Sequence, residues 1–308
     1  MLILELGAGL VLLLLGGESL VRGAAGFAAR MGVSPLLIGL TVVGFGTSTP
    51  ELVTSLEAAF AGSPGIAIGN VVGSNTANIL LILGVAAVLV PIPVARRAFL
   101  RDGTVAALAA LACLGVVLMG SLERLAGVAL VAMLAGYIVF AASRERVEVA
   151  EGDGIIPRGM GVPAALAFAL GGLVLTILGA RLLVGGAIEL AEVAGVSDTI
   201  IGLTIVAVGT SLPELATSLM AALRRQPEIA FGNIVGSNIY NVFGILGVTA
   251  LVHPIPVPPE IAAFDIWVML AATAALTAAA VTGWRITRRE GAAMLAAYAV
   301  YIGVLAAG

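Results

Sequence analysis

Long apolar runs, separated by short polar segments, follow one another along the whole chain. Each has roughly the 20 apolar residues that an α-helix needs to cross a bilayer. Backbone groups in lipid must be hydrogen-bonded internally, so the spans are helices or a closed barrel. Runs of this length, without alternating polarity, exclude the barrel. The pattern predicts an all-α polytopic membrane protein with ten spans near residues 3–21, 35–60, 66–89, 101–120, 126–143, 161–185, 199–222, 228–251, 263–282 and 291–307.

The composition agrees with a membrane protein and narrows the possible chemistry. Of the 308 residues, 60% are hydrophobic and 11% are charged, against about 25% charged residues in a soluble domain. A single cysteine, Cys113, and a single histidine, His253, exclude a His/Cys metal cluster. No basic patch suits nucleic acid. We therefore expect no bound cofactor, no nucleic acid and no protein partner, and contacts only with ions and the lipid bilayer.

The arginines orient the spans. All 15 basic residues are Arg, and basic residues concentrate in cytoplasmic loops. With the amino terminus outside, only Arg124 and Arg181 fall on or toward the outer side, and the other 13 of the 15 fall on inner connections. The opposite orientation would invert this ratio. The pattern predicts a multi-pass protein of the cell membrane with both termini on the extracytoplasmic side.

Polar motifs inside the apolar runs occur twice with a constant shift. Residues 46–51 read GTSTPE, and residues 209–214 read GTSLPE, 163 positions later. Residues 69–75 and 232–238, GNVVGSN and GNIVGSN, keep the same shift. Five spans per half is an odd number, so the second copy enters the membrane from the opposite side. Such inverted repeats place a binding site near the midplane, where interrupted helices from both halves meet.

This symmetry divides the chain into two domains. Residues 1–142 form the first inverted repeat, with spans one to five, and residues 161–308 form the second, with spans six to ten. The linker between them, residues 143–160, is the one clearly hydrophilic stretch. We expect it to be cytoplasmic, and it is too short to hold a soluble regulatory domain.

The first polar motif predicts an interrupted helix lined with oxygen atoms. Pro50 lacks an N–H and pushes away the carbonyl group of Gly46, and Gly44 loosens the same turn. Thr47 and Glu51 are four residues apart and share a helix face. A carboxylate, hydroxyl groups and freed carbonyl groups then lie in one small volume. These are hard ligands that suit Na⁺ or Ca²⁺.

Further candidate ligands come from three other spans. Span seven repeats the arrangement with Thr210 and Glu214, and spans three and eight add pairs spaced by four residues. These pairs are Ser74 with Asn78 and Ser237 with Asn241. Four neighbouring polar residues are open to two interpretations, as ion ligands or as interhelical hydrogen-bonding groups: Ser48, Ser211, Asn75 and Asn238.

Glu51 and Glu214 carry the strongest functional signal. An ionisable group at the middle of a bilayer costs at least ~2.5 kcal/mol on insertion scales. Two such groups at matching positions of a repeat therefore predict function. The glycines of the second motif, Gly69-x-x-x-Gly73 and its copy at residues 232–236, are instead typical of close helix packing.

These motifs carry a resemblance to a known family. The first copies read GTSTPELVTS and GNVVGSNTAN, and the second copies read GTSLPELATS and GNIVGSNIYN. Over essentially its whole length the chain resembles the sodium/calcium exchanger branch of the Ca²⁺/cation antiporter superfamily, in the prokaryotic form without a large cytoplasmic loop. The resemblance implies a secondary antiporter, not an enzyme, that exchanges Na⁺ for Ca²⁺ by alternating access.

The resemblance also implies roles for individual residues. Ca²⁺ would be held by the side chains of Glu51 and Glu214 and by oxygens of Thr47 and Thr210. The Na⁺ sites would share the carboxylates and add Ser74, Ser237 and the backbone at Gly44 and Ala207. Spans one and six would slide across the other eight, and Gly16, Gly17 and Gly179 suit a close sliding contact.

One position departs from some members of the family. Some exchangers carry Asp where this chain has Asn241, and in the potassium-dependent branch that acid is associated with K⁺. Its absence here argues against K⁺ dependence. It also leaves two formal negative charges, which one Ca²⁺ or two Na⁺ would neutralise, so the number of Na⁺ ions per cycle stays open.

Three other functions are compatible with membrane-buried carboxylates. Exchange of H⁺ for Ca²⁺ or another divalent cation could use the same site, because a carboxyl group removed from water takes up protons. An intramembrane diacidic protease would use two acids that share a proton, but those enzymes use Asp, commonly in a G-x-G-D context. A passive cation channel usually shows a symmetric ring of subunits and not an inverted repeat.

Overall fold

The computed structural model describes residues 2–32, 34–144, 160–193 and 207–307, which are almost entirely helical. The helices of the first half are α1 Leu2–Met31, α2 Pro35–Ile38, α3 Gly44–Thr47, α4 Thr49–Phe60, α5 Pro64–Ala77, α6 Gly84–Leu89, α7 Arg96–Met119 and α8 Arg124–Arg144. Those of the second half are α9 Val162–Val193, α10 Ala207–Thr210, α11 Leu212–Leu223, α12 Pro227–Tyr240, α13 Gly247–Val252, α14 Ile266–Val281 and α15 Arg288–Ala307.

Short π-helical segments and two-residue strands complete the described elements. The π-helical segments are Gly39–Val43, Asn78–Leu83, Asn241–Leu246 and Ile261–Asp265. The strands are β1 Ile92–Pro93, β2 Ser121–Leu122, β3 Ile255–Pro256 and β4 Arg285–Ile286. The segments at Asn78 and Asn241 join α5 to α6 and α12 to α13 without a break in the span. Single π-turns inside α-helices occur frequently at functional sites.

Nine of the ten predicted membrane spans correspond to helices in the described part of the chain. Eight helices there are long and apolar enough to cross a membrane. A ninth span is the pair Pro35–Thr47 and Thr49–Phe60, whose axes differ by 41° at Ser48, as the kink predicted at Pro50 requires. The seventh predicted span, 199–222, begins on residues that lie outside the described ranges, and its described end is the short apolar helix α11.

Two helices are longer than the hydrophobic pattern predicted. The first span was expected to end near residue 21 and the sixth near residue 185, but α1 continues to Met31 and α9 to Val193. In α1 the polar residue that suggested an end, Arg22, is exposed and forms an ion pair with Glu18 one turn earlier. The small apolar residues that follow it are buried. A salt-bridged arginine on the surface of a helix therefore does not end it.

The described elements of the two halves correspond at the 163-residue shift. The helices α4, α5 and α6 correspond in this way to α11, α12 and α13, and β1 corresponds to β3. Strand β1 pairs antiparallel with β4, and β2 pairs antiparallel with β3. The first sheet lies where the 24-residue helix α7 begins and the second where it ends, so the sheets cap opposite ends of a helix about 36 Å long.

Glycines let α1 and α9 pack with their backbones in contact. A Cβ atom at Gly16 would lie 2.5 Å from the backbone nitrogen of Thr176, and one at Gly179 would lie 2.6 Å from that of Leu13. Gly17 instead faces α11, where a Cβ atom would lie 3.0 Å from a backbone oxygen. All three glycines thus lie at close contacts of the first or sixth span, as the sequence predicted.

The second copy of the Gly-x-x-x-Gly motif packs closely against another helix, as predicted. Gly232 and Gly236 of α12 contact the backbone at Leu36 and Leu40 of the second span, and a Cβ atom at Gly232 would lie 2.6 Å from the Leu36 carbonyl oxygen. For the first copy of the motif, the residues that correspond to Leu36 and Leu40 at the 163-residue shift are 199 and 203, which lie outside the described ranges.

Candidate ion-binding site

The two predicted carboxylates are buried and linked across the halves of the molecule. Glu51 is 1% exposed and Glu214 is 0% exposed. Ser48 Oγ donates a hydrogen bond to Glu214 Oε1 at 2.8 Å, and Ser211 Oγ donates to Glu51 Oε1 at 3.2 Å. Each serine thus supports the carboxylate of the opposite repeat. The other oxygen of each carboxylate, Oε2, is buried without a hydrogen-bond partner in the described part of the chain.

The broken helices explain why these side chains meet. Ser48 ends α3 and precedes α4 with φ −83° and ψ 10°, and Ser211 has φ −90° and ψ 7° before α11. Pro50 and Pro213 lie in the first turn of the following helix, where a missing N–H costs no helical hydrogen bond. Each carboxylate therefore lies in the first turn of a helix, where the macrodipole favours negative charge.

Short contacts link several of the hydroxyl and carbonyl oxygens that were predicted as ligands. Thr47 Oγ1 lies 3.1 Å from the carbonyl oxygen of Val43. Ser237 Oγ donates to the carbonyl oxygen of Gly44 at 3.2 Å, and Ser211 and Ser74 have their hydroxyl oxygens 3.3 Å apart. In the second half, Thr210 and Ala207 lie in α10, at the positions that correspond to Thr47 and Gly44.

Four asparagines from α5, α12 and the π-helical segments meet next to Ser74, the residue that contacts Ser211. Asn78 Nδ2 donates to Asn238 Oδ1 at 2.9 Å, and Asn241 Nδ2 donates to Asn75 Oδ1 at 3.0 Å. Of the two interpretations open for Asn75 and Asn238, their contacts are those of interhelical hydrogen bonds. The Oδ1 atoms of Asn78 and Asn241 are buried and have no partner among the described residues.

Two asparagines that were not among the predicted site residues hydrogen-bond to the helices that carry the carboxylates. Asn70 Nδ2 donates to the backbone oxygen of Glu51 at 3.0 Å and to Ser55 Oγ at 3.0 Å. Asn233 makes the matching contacts with the backbone oxygen of Glu214 at 3.3 Å and with Ser218. Their recurrence at the 163-residue shift was the available signal, since each is the Asn of a Gly-Asn pair in the second motif.

The chemistry of the unpartnered oxygens suits a hard cation. Burial of an acceptor without a partner costs free energy, yet four such acceptors recur in symmetric pairs here: Glu51 Oε2, Glu214 Oε2, Asn78 Oδ1 and Asn241 Oδ1. Carboxylate and amide oxygens are ligands of Na⁺ and Ca²⁺ and not of soft metals. The described residues contain no group of three or more His, Cys, Asp or Glu side chains that could hold a metal, so formal charge at this site comes from two carboxylates.

Comparison with known proteins places the chain in a family. A family model described as sodium/calcium exchanger protein matches residues 1–142 and 164–307. The chain belongs to the sodium/calcium exchanger family. The resemblance of its motifs to this family is thereby confirmed, and membership makes the protein a membrane transporter of the cation antiporter type.

Relatives in this exchanger family match over nearly their full length. The putative antiporter CaxA of Alkalimonas amylolytica is 38% identical over 95% of both chains. The sodium/calcium exchanger MaX1 of Methanosarcina acetivorans is 36% identical over 96% of both. A structure of the sodium-calcium exchanger NCX_Mj, soaked with Na⁺ and Ca²⁺, is 33% identical, with a TM-score of 0.85 over 98% of this chain and 99% of that one.

Proposed function

We propose that this exchanger is a secondary antiporter that moves Na⁺ in exchange for Ca²⁺ at a site centred on Glu51 and Glu214. The observation that carries the proposal is the pair of buried Oε2 atoms without partners, one on each carboxylate. No ion pair of the described residues includes either glutamate. Buried carboxylates without a basic partner need a cation or a proton to neutralise them. The relatives named as sodium/calcium exchangers support Na⁺ and Ca²⁺ as the cations.

The remaining ligands complete an oxygen cage in this proposal. Asn78 and Asn241 each contribute a free carbonyl oxygen, and Ser48 and Ser211 orient the carboxylates through the hydrogen bonds described above. The other proposed contributors are the hydroxyl groups of Thr47, Thr210, Ser74 and Ser237 and the backbone oxygens of Gly44 and Ala207.

Coupling follows from the small number of charges. One Ca²⁺ or two Na⁺ neutralise two carboxylates, and each kind of ion needs the same two groups. Ca²⁺ and Na⁺ then bind in alternation and not together. The site can cross the membrane when it holds Ca²⁺ or Na⁺, but not when it is empty and charged. Such a cycle exchanges one ion for the other.

Alternating access would use the inverted relationship that we infer for the two halves, residues 1–142 and 161–308. The two small sheets support it. Strands β1 and β3 occupy corresponding positions in the repeats, yet they lie at opposite ends of α7. The glycine-lined contact between α1 and α9 would let the first and sixth spans move together. The arginine distribution supports an orientation with both termini on the extracytoplasmic side of the cell membrane.

Transport in proteoliposomes tests the proposal. Vesicles that hold purified protein are loaded with Na⁺ and diluted into Na⁺-free medium with ⁴⁵Ca²⁺, and parallel vesicles carry only a pH gradient. We expect rapid Ca²⁺ uptake that requires the outward Na⁺ gradient. Uptake driven by the pH gradient alone would contradict Na⁺ coupling.

Exchange of H⁺ for Ca²⁺, or for another divalent cation, is the second candidate. The observation that favours it is again the lack of a basic partner for either glutamate among the described residues, because a proton can neutralise a buried carboxylate in place of Na⁺. The same vesicles separate the two functions, since this candidate requires uptake with a pH gradient and no Na⁺.

A further inference from the structure

Asn75, Asn78, Asn238 and Asn241 form a closed amide cluster. It adjoins Ser74, whose hydroxyl oxygen lies 3.3 Å from that of Ser211, the serine that donates to Glu51. All four side chains are at most 6% exposed. Two members belong to each half, and every hydrogen bond in the cluster has a counterpart at the 163-residue shift. An amide group has one oxygen that can bind a cation and one NH₂ group that cannot, so the direction in which each amide faces matters for the site.

Two backbone carbonyl groups fix the direction of the whole cluster. Asn75 Nδ2 donates to the backbone oxygen of Asn238 at 3.3 Å, and Asn238 Nδ2 donates to that of Asn75 at 3.4 Å. A carbonyl oxygen can only accept, so the NH₂ groups of Asn75 and Asn238 must face these oxygens. Their Oδ1 atoms consequently face away and become acceptors.

The orientation of Asn75 and Asn238 in turn determines that of Asn78 and Asn241. The Oδ1 atom of Asn238 accepts from Asn78 Nδ2 at 2.9 Å, and that of Asn75 accepts from Asn241 Nδ2 at 3.0 Å. With their NH₂ groups held in this way, Asn78 and Asn241 are left with their Oδ1 atoms on the opposite side, buried and without partners in the described ranges. A reversed amide would instead direct its N–H groups toward a bound cation and repel it.

We infer that Asn75 and Asn238 are positioning residues, which hold the amide carbonyl oxygens of Asn78 and Asn241 toward the transported cation. The inference rests on the proposed function of the site. Hydrogen bonds that served only to hold the helices together would not account for this arrangement. They would not require the Oδ1 atoms of Asn78 and Asn241 to stay buried without donors. Removal of a residue that hydrogen-bonds to a metal ligand commonly changes metal affinity by about 10–100-fold.

A double-mutant cycle distinguishes a positioning role from hydrogen bonds that only hold the helices together. Asn238→Ala removes the acceptor that holds Asn78, and we expect it to weaken Ca²⁺ binding by about tenfold or more. In an Asn78→Asp background the same change should weaken binding less than about twofold, because a carboxylate presents an oxygen whichever way it turns. The added charge changes both members of that pair equally, so it cancels in the comparison.

The readouts are equilibrium ⁴⁵Ca²⁺ binding to protein in detergent and the shift of the melting temperature with Ca²⁺. The repeat supplies a second cycle, Asn75→Ala with and without Asn241→Asp, which tests the same idea if Asn238→Ala does not fold. Equal losses of affinity in both backgrounds would overturn the inference alone. A wild-type protein that binds neither Ca²⁺ nor Na⁺ would overturn the proposed function and this inference with it.

Discussion

Ser48 Oγ donates a hydrogen bond to Glu214 Oε1 at 2.8 Å, although the two residues belong to different halves of the molecule. The reciprocal bond joins Ser211 and Glu51. Each bond uses one oxygen of a carboxylate and leaves the other free. The helix break at each serine therefore does two things: it ends one helical segment, and it orients the carboxylate that the opposite repeat contributes.

Removal of one of these hydroxyl groups should weaken ion binding without unfolding the protein. We expect Ser48→Ala to lower the apparent Ca²⁺ affinity about tenfold, because Glu214 loses the bond that orients it. Ser211→Ala should have a similar effect through Glu51. The measurement is the Ca²⁺ concentration dependence of Na⁺-driven uptake. Ser143→Ala removes an exposed hydroxyl group and serves as the control. Unchanged affinity in both site variants would contradict the orienting role.

Neutralisation of either carboxylate should stop exchange. Glu51→Gln and Glu214→Gln keep the shape of the side chain but leave one formal negative charge at the site, too few to balance Ca²⁺. We expect ⁴⁵Ca²⁺ exchange to be abolished while each variant still inserts and elutes as a monodisperse species in size-exclusion chromatography. Exchange at the wild-type rate in either variant would refute the site assignment.

Contact between α1 and α9 should tolerate no added methyl group on its packed face. At Gly172 a Cβ atom would lie 2.7 Å from the backbone oxygen of Gly16, whereas at the neighbouring Gly171 it meets nothing within 4 Å. We expect Gly172→Ala to destabilise the protein by about 1–3 kcal/mol and to slow transport. Gly171→Ala is the matched control and should change neither. Thermal unfolding and ⁴⁵Ca²⁺ uptake measure both effects, and equal behaviour of the two variants would contradict the packing argument.

An ion pair joins α1 to the end of α11. Arg224 Nε lies 2.6 Å from Glu18 Oε2, and the arginine side chain is 41% exposed. The glutamate side chain is 15% exposed, and an ion pair with one partner this open to solvent contributes only about 1 kcal/mol or less to stability. If α1 moves relative to α11 during transport, Arg224→Gln should change the exchange rate severalfold and leave the melting temperature nearly unchanged, since the pair between Glu18 and Arg22 within α1 is kept. Arg124→Gln, at an exposed position, is the control. A large loss of stability with an unchanged rate would assign the pair to folding alone.

The sequence predicted the parts of the fold that depend on composition and local chemistry. Apolar runs located the membrane helices, and Pro50 located the break at Ser48. The cost of a charge in lipid drew attention to Glu51 and Glu214, which the structure shows to be buried. These signals are strong because each depends only on one residue or one run and on the apolar interior of the bilayer around it. The predicted end of α1 was wrong because it depended on a contact between side chains. Arg22 is polar, but its ion pair with Glu18 is compatible with a helix that continues.

The features that the sequence did not predict depend on contacts between distant residues. The π-helical segments at Asn78 and Asn241 change the helical period without a local marker such as Pro. The direction of the amide groups follows from backbone oxygens in the opposite half. Two matched interhelical bonds, Tyr137 to Asp102 at 3.1 Å and Tyr301 to Asp265 at 2.9 Å, were likewise invisible, because the tyrosine and the aspartate lie about ten helical turns apart along the chain.

Competition between the two ions is the most direct test of the central claim, that Na⁺ and Ca²⁺ use the same two carboxylates. The measurement is equilibrium ⁴⁵Ca²⁺ binding to purified protein over a series of Na⁺ concentrations, with choline replacing Na⁺ at constant ionic strength. We predict that the apparent Kd for Ca²⁺ rises steadily with Na⁺ while the binding capacity stays constant, and the steepness of that rise gives the number of Na⁺ ions. A Kd independent of Na⁺ would contradict a shared site.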